Sequence, residues 1–375
     1  MFDCRNIPCR ATLPIIAVLL LSAGSAGAQE GPGTKSSKLA PSENDVAKAR
    51  ERAAMLFAPN EPLEFTLSSD FRSAFKSRDT LDVKSTKATI TMRDTAGAEV
   101  TFPLEIEPRG HFRLQKLHCN IPPIRLEFTE PGKKGTAFAG QDKLKLGTHC
   151  RSGFKEYDEI PLREYIIYRI YNLITPLSFQ ARVARVTYVD ATGKDDPQVK
   201  WAILLEDDDE MAARNGGLIR EVRGARFADV DAEQLLLSLL FEYVIGGHDW
   251  SLYSLHNLRL VQMPDFRYFP VPYDWDFSGL AKTSYSGPPP QVPIREVQDR
   301  YYRGPCVSDE ALRAALQKFH AQRTNILALY DSLPGVSDDY LKFAREYMRK
   351  FFDDTEDFNE AKQDIMRSCS TKPSA

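Results

Sequence analysis

No single sign of charge dominates this chain of 375 residues. Its 49 Lys and Arg stand against 52 Asp and Glu, a formal net charge of −3. Without a strong basic field, nucleic acid is not an expected partner. Long apolar runs are also scarce. The one at the N-terminus falls short of the roughly 20 residues needed to span a bilayer, and no later segment approaches that length. There is no Gly-x-Ser-x-Gly nucleophile elbow and no His-Glu-x-x-His zinc helix, which removes the commonest hydrolase signatures. Internal repeats are missing too. What is present is ordinary for a globular protein: 42% hydrophobic and 27% charged residues, enough to build a large core.

The N-terminus reads as an export signal. Arg5 and Arg10 precede a mostly apolar stretch over 12–21, and Ala26-Gly27-Ala28 fits a small-residue cleavage site. Residues 1–28 are therefore expected to be removed, with Gln29 first in the mature chain. No Cys follows the apolar run where a bacterial lipoprotein needs one. The mature protein is then expected to be periplasmic or secreted, with no transmembrane segment. Of six cysteines, Cys4 and Cys9 leave with the signal, and Cys119, Cys150, Cys306 and Cys369 remain. An even number in an oxidising compartment points to disulfides. The preferred pairing, Cys119–Cys150 with Cys306–Cys369, is one of three that the count allows. A rival reading takes His118-Cys119 and His149-Cys150 as a zinc site, but adjacent strand residues point to opposite faces and do not easily converge on one ion.

Residues 29–60 read as a polar leader followed by a short helix, with Ser42 as N-cap and Asp45 three residues on. From residue 61 the pattern alternates: LEFTLSS, ATITMRD, VTFPLEIEPRG, IRLEFTE and DKLKLGTH are strands, the last two joined by a Pro-Gly-Lys-Lys-Gly turn. LREYIIYRIYNLI has helical spacing, and ARVARVTYVD and KWAILLED are two more strands. From residue 206 the character changes. DAEQLLLSLLFEYVIGG is a helix apolar on most sides, and the chain from about residue 308 is helical. The expected division is a β-rich part over 61–205 and a mostly helical part over 206–375, an α+β class with a ligand cleft between two lobes.

One stretch, 246–279, concentrates polar groups between apolar segments: GGHDWSLYSLHN, an alternating strand, then FPVPYDWDFSG. Such groups need a partner or a purpose, because burying them bare costs several kcal/mol. Asp249, Asn257, Asp274 and Asp276 offer the oxygen ligands that Mg²⁺ or Mn²⁺ prefers, together with a carboxylate to orient an acceptor hydroxyl. His248 and His256 flank them, and a His beside an Asp can serve as a base. Taken one at a time, these residues also fit turns and caps. Arg109, Arg113, Arg125 and Lys145 are the candidate phosphate-binding side chains. Arg125 and Lys145 each lie between apolar residues that face the other side of their strand. Glu164 on the helix is positioned to pair with one of these cations. The run EDDDE over 206–210 reads as a solvated turn, with Glu206 itself a candidate for the nucleotide pocket.

GGHDW…HN followed by PYDWDFSG resembles the catalytic segments of the spore-coat CotH kinase family, where an Asp precedes an Asn and a strand leads to an Asp-x-Asp metal motif. Arg109-Gly110 and WAILLEDDDEMAAR resemble that family's Arg-Gly pair and lobe crossing. RGHFRLQKLHCNIPPIRLEF with KLKLGTHC is similar to segments of a group of exported bacterial proteins of unassigned activity. The resemblance implies a two-lobed, atypical protein-kinase-like fold. It also implies ATP or another nucleotide bound with Mg²⁺ or Mn²⁺, and phosphoryl or nucleotidyl transfer to an acceptor that is a protein, glycan or lipid. In that scheme Asp249 is catalytic, Asn257, Asp274 and Asp276 bind metal, and Arg109, Arg113, Arg125, Lys145, Glu164 and Glu206 bind the nucleotide. Two departures stand out. Asn257 lies eight positions after Asp249, further than in the H-R-D-x-x-x-x-N loop. The β-rich part also lacks a G-x-G-x-x-G loop, so Arg and Lys side chains must hold the phosphates. The alternatives are a non-catalytic envelope binding or assembly protein, favoured by the scarcity of ATP outside the cytoplasm, and a metal-dependent phosphoester hydrolase.

Overall fold

In the computed structural model the described residues are 40–371, apart from 77, 79–82, 130–133 and 332. The export signal, most of the leader and most of the Pro-Gly-Lys-Lys-Gly turn lie outside them. The chain begins with helix α1 (Glu43–Phe57), opened by a capping box in which Ser42 and Asp45 each bond the other's backbone. Strand β1 (Leu63–Ser69) leads into a short helix, α2 (Phe71–Ala74). Strands β2 (Thr86–Arg93), β3 (Glu99–Pro108), β4 (Ile124–Glu127) and β5 (Lys143–Gly147) follow as an antiparallel series. Helix α3 (Lys155–Ile174) then precedes β6 (Ala181–Asp190) and β7 (Gln198–Leu205).

These last two strands decide the architecture. β7 pairs antiparallel with β5, and β6 pairs parallel with β1, so the order β1-β2-β3-β4-β5-β7-β6 closes on itself. The result is a seven-stranded barrel with a small second sheet and packed helices. It is not the two-lobed, atypical protein-kinase-like fold that the resemblance implies. The strands after α3 do not form a crossing between lobes; they fill the gap between β5 and β1.

Side-chain alternation builds two cores from one barrel. Phe65, Leu67, Ile90, Leu104, Ile106, Leu126, Leu144, Val186 and Leu204 point inward around Phe138. Val183, Ile203 and Leu205 point outward from β6 and β7 and join Ile166 and Ile170 of α3 in the second core. That core continues through α5 (Ala232–Ile245), in which every residue from Gln234 to Ile245 is buried. Between α3 and α5 lie α4 (Asp208–Arg214) and β8 (Leu218–Arg220). After α5 come β9 (Leu258–Gln262) and β10 (Tyr268–Pro272), which complete a sheet of order β10-β9-β8. Helices α6 (Asp309–Ala321), α7 (Arg323–Ala328), α8 (Asp338–Asp354) and α9 (Phe358–Met366) finish the chain.

Disulfides join Cys119 to Cys150 and Cys306 to Cys369. Two disulfides fit an oxidising compartment. The four sulfurs are therefore not thiolate ligands, which ends the zinc reading. Among the described residues no helix is long and apolar enough to cross a membrane. Replacing Cys306 and Cys369 by Ser is expected to cost about 3 kcal/mol, read as a lower urea midpoint than the parent's under non-reducing conditions.

Candidate functional site

The stretch 246–279 folds as one unit. Gly246 caps α5 in the left-handed conformation, with φ 64°. The Gly279 N–H donates to Gly246 O at 3.0 Å, and Leu280 N–H donates to Ile245 O at 2.9 Å. The two ends are therefore clasped. A Cβ on Gly279 would lie 2.6 Å from Val297 O and 2.7 Å from Gln298 Cα, both backbone atoms, so only glycine fits there. Between the ends, β9 and β10 form a hairpin, and Leu258 pairs with Pro272. Its open end brings Asn257 beside Tyr273, whose N–H donates to Asn257 O. This explains why residues 17 apart share one site. Asn257 and Asp274 both have positive φ, 50° and 64°. Asn and Asp tolerate that region best after Gly.

Asp249, Asn257, Asp274 and Asp276 line one open cleft of about 430 Å³, together with Arg109, Arg113, Arg125, Arg223, Arg259 and His256. Its other wall is the loop from β3 to β4, held in place by the Cys119–Cys150 disulfide and by Arg151, which donates to His118 O and Leu117 O. Asp249 accepts from His256 Nε2 at 3.0 Å and from Asn257 Nδ2 at 3.2 Å. The bond to Asp249 raises the His256 pKa.

Arg113 holds the other carboxylates. Its Nη2 is 2.8 Å from Asp274 Oδ1, its Nε 3.2 Å from Asp276 Oδ2, and its Nη1 3.6 Å from Glu164 Oε2. Arg113, Asp276 and Glu164 are 7%, 3% and 2% exposed. Burial opposes the guanidinium charge, but Asp276, Asp274 and Glu164 outweigh it and push the Arg113 pKa up. Burial pushes the carboxyls of Glu164 and Asp276 up against the pull of Arg113. Three carboxylates exceed what one guanidinium neutralises, so the buried pair Glu164 and Asp276 retains a proton more readily than free acids do. Tyr285 Oη donates to Asp276 Oδ2, and the Asp274 N–H donates to Tyr168 Oη.

The metal set Asn257, Asp274 and Asp276 does not fit an Mg²⁺ or Mn²⁺ ion as it stands. Asn257 turns its amide N–H groups to Asp249, and Arg113 fills the place between the two aspartates. Among the described residues no group of three His, Cys, Asp or Glu side chains is placed to hold a metal ion.

The remaining candidates divide. Arg109 and Arg125 line the cleft, and Arg125 is partly engaged by Glu107 at 3.4 Å. Lys145 is buried, paired with Asp208 and stacked 4.5 Å over Phe179; it lies behind the cleft lining, and burial lowers its pKa. Glu206 is tied to Arg214 at 2.8 Å and to the Gln180 N–H, so it braces α4 outside the cleft. His248 bonds Asp299 O and is structural. Several lining groups escaped the sequence reading. Arg223 sits in an irregular loop with no motif around it, and Phe112 and Phe277 meet edge to face at 5.0 Å. Tyr285, which is not in the lining but bonds Asp276 from behind it, also escaped, because no motif surrounds it. Among the described residues the side chains of Arg109 and Arg223 make no hydrogen bond or ion pair.

Fold and site together define a closed barrel braced by a helical core, with an arginine- and carboxylate-lined cleft at their junction. No protein-family model matches the chain, and no curated protein matches its sequence.

Proposed function

We propose that the cleft receives the phosphate groups of a nucleotide-sized ligand and that the chain transfers a phosphoryl group from it to an acceptor hydroxyl. The observation that carries this reading is the convergence of Asp249 with Arg109 and Arg223, two arginines unpaired among the described residues, on one open cleft. Its volume of about 430 Å³ lies in the range of small-molecule sites. Arginine forks suit phosphate oxygens, and Phe112 and Phe277 offer rings for a planar base to meet. Asp249, steadied by His256 and Asn257, takes the hydroxyl proton as the new P–O bond forms and the old one breaks. An exported setting, periplasmic or outside the cell, fits the two disulfides.

A second reading rests on a specific contact. Asp274 and Asp276 are both committed to Arg113, which leaves fewer carboxylates free for chemistry and favours a protein that binds without turnover. Thermal unfolding of the purified chain with ATP, with pyrophosphate and with NaCl of equal ionic strength tests the shared premise. At a hundred times its dissociation constant, a ligand adds about 2.7 kcal/mol. Arg109→Ala is expected to lose most of that stabilisation. No stabilisation beyond NaCl by any phosphate compound would overturn both readings, and release or transfer of phosphate then separates the first from the second.

A further inference from the structure

We infer that the Arg113 guanidinium is the resident cation of this centre, seated where a divalent metal ion would otherwise be held. The geometry is specific to that role. Each of its three nitrogens faces a different carboxylate: Nε faces Asp276, Nη1 faces Glu164 and Nη2 faces Asp274. The three acids come from two separate parts of the chain, α3 and the segment after β10. The arginine reaches them from a third, the loop between β3 and β4. That loop is pinned at its far end by the Cys119–Cys150 disulfide and at its near end by the Arg109 N–H bond to Pro123 O at 2.8 Å.

An ion and a guanidinium cannot share this seat. Two of the three acids are almost fully enclosed, so carboxylates stripped of a cation there face a large desolvation cost. A divalent ion entering beside Arg113 meets a buried positive charge with nowhere to go. It would also need ligand oxygens at about 2.0–2.6 Å, closer than the guanidinium allows. Removing the guanidinium reverses both conditions. It leaves three carboxylates facing a vacated space; as placed they hold no ion, but by turning inward they can close on Mn²⁺ or Ca²⁺.

The test uses the whole chain with ions alone, so it does not depend on the nucleotide reading. Thermal unfolding is followed in EDTA, in Mn²⁺, in Ca²⁺ and in NaCl of matched ionic strength. The parent is expected to show the same midpoint in all four. Arg113→Ala is expected to unfold at a lower temperature in EDTA and to regain about 5 °C in saturating Mn²⁺ or Ca²⁺. If Arg113→Ala proves too unstable to purify, Arg113→Gln is shorter than arginine and uncharged, offers a carbonyl oxygen to the ion, and is expected to show the same gain. Two results would overturn the inference. One is a parent stabilised by either ion, with the effect abolished in Asp276→Asn, which would mean that Arg113 yields its place. The other is an arginine variant indifferent to both ions, which would mean that the cluster is no cation seat.

Discussion

Replacing Glu242 by Gln is expected to leave the protein more stable at pH 8 by about 4 kcal/mol, with little change at pH 5. Glu242 lies on α5, buried, and its Oε1 accepts from Trp275 Nε1 at 2.8 Å. Burial pushes its pKa up to about 8, against the smaller opposing effects of Trp275 and Arg303. A carboxyl raised from an unfolded value near 4.5 contributes stability that is fully present below that value. The contribution is lost as pH rises towards 8, because the unfolded chain releases the proton that the folded chain must keep. Gln copies the neutral acid: its carbonyl accepts from Trp275, its NH₂ replaces the carboxyl O–H, and it has no proton to lose. Urea unfolding of parent and variant at pH 5, 6.5 and 8 reads the difference. The raised pKa values of Glu164 and Asp276 are common to both proteins, so the gap between the two profiles isolates Glu242. Parallel profiles would show that Glu242 is ionised in the folded state.

The two halves of this protein were unequally legible. Alternation marks individual strands because each barrel strand has one face in a core; LEFTLSS and ARVARVTYVD coincide with β1 and β6 to the residue. Closure left no such mark. It depends on β6 lying parallel to β1, a contact between distant segments that adds no local pattern. The same alternation suits an open sheet, which is why a lobed arrangement appeared consistent. EDDDE over 206–210 reads as a solvated turn, yet three of its acids open α4, where the helix dipole favours negative charge, and Asp207 caps it. In the site, Asp249, Asn257 and Asp274 were legible together because they flank one hairpin. The partner of Asp274 and Asp276 was not. Arg113 lies in a loop whose course is set by a disulfide and by carbonyl contacts, and nothing local states which acids it will meet. Lys145 shows the converse: its apolar neighbours announce an outward-facing cation, but Asp208 of α4 intercepts it.

Trp275→Ala is expected to cost about 4 kcal/mol and, on the function proposed above, to abolish the stabilisation by ATP. Trp275 stands between Asp274 and Asp276 and points the other way, into the core, 3% exposed. Its ring lies 4.6 Å from Tyr168, 5.2 Å from Phe241 and 5.7 Å from Tyr171, and Glu242 anchors its N–H. Tyr168 in turn holds the Asp274 N–H through its hydroxyl, at 3.0 Å. The indole therefore aims both neighbouring carboxylates at Arg113, while Asp274 bears the positive φ that this aim requires. Truncation leaves a cavity and an unanchored loop. Trp275→Phe retains most of the ring packing but strands Glu242 without its donor. It is expected to cost less at pH 5, where the acid is neutral, than at pH 8. Calorimetric titration with ATP at low temperature, where both variants stay folded, separates aim from stability. Tight binding by Trp275→Ala would detach the indole from the site and leave it a role in packing alone.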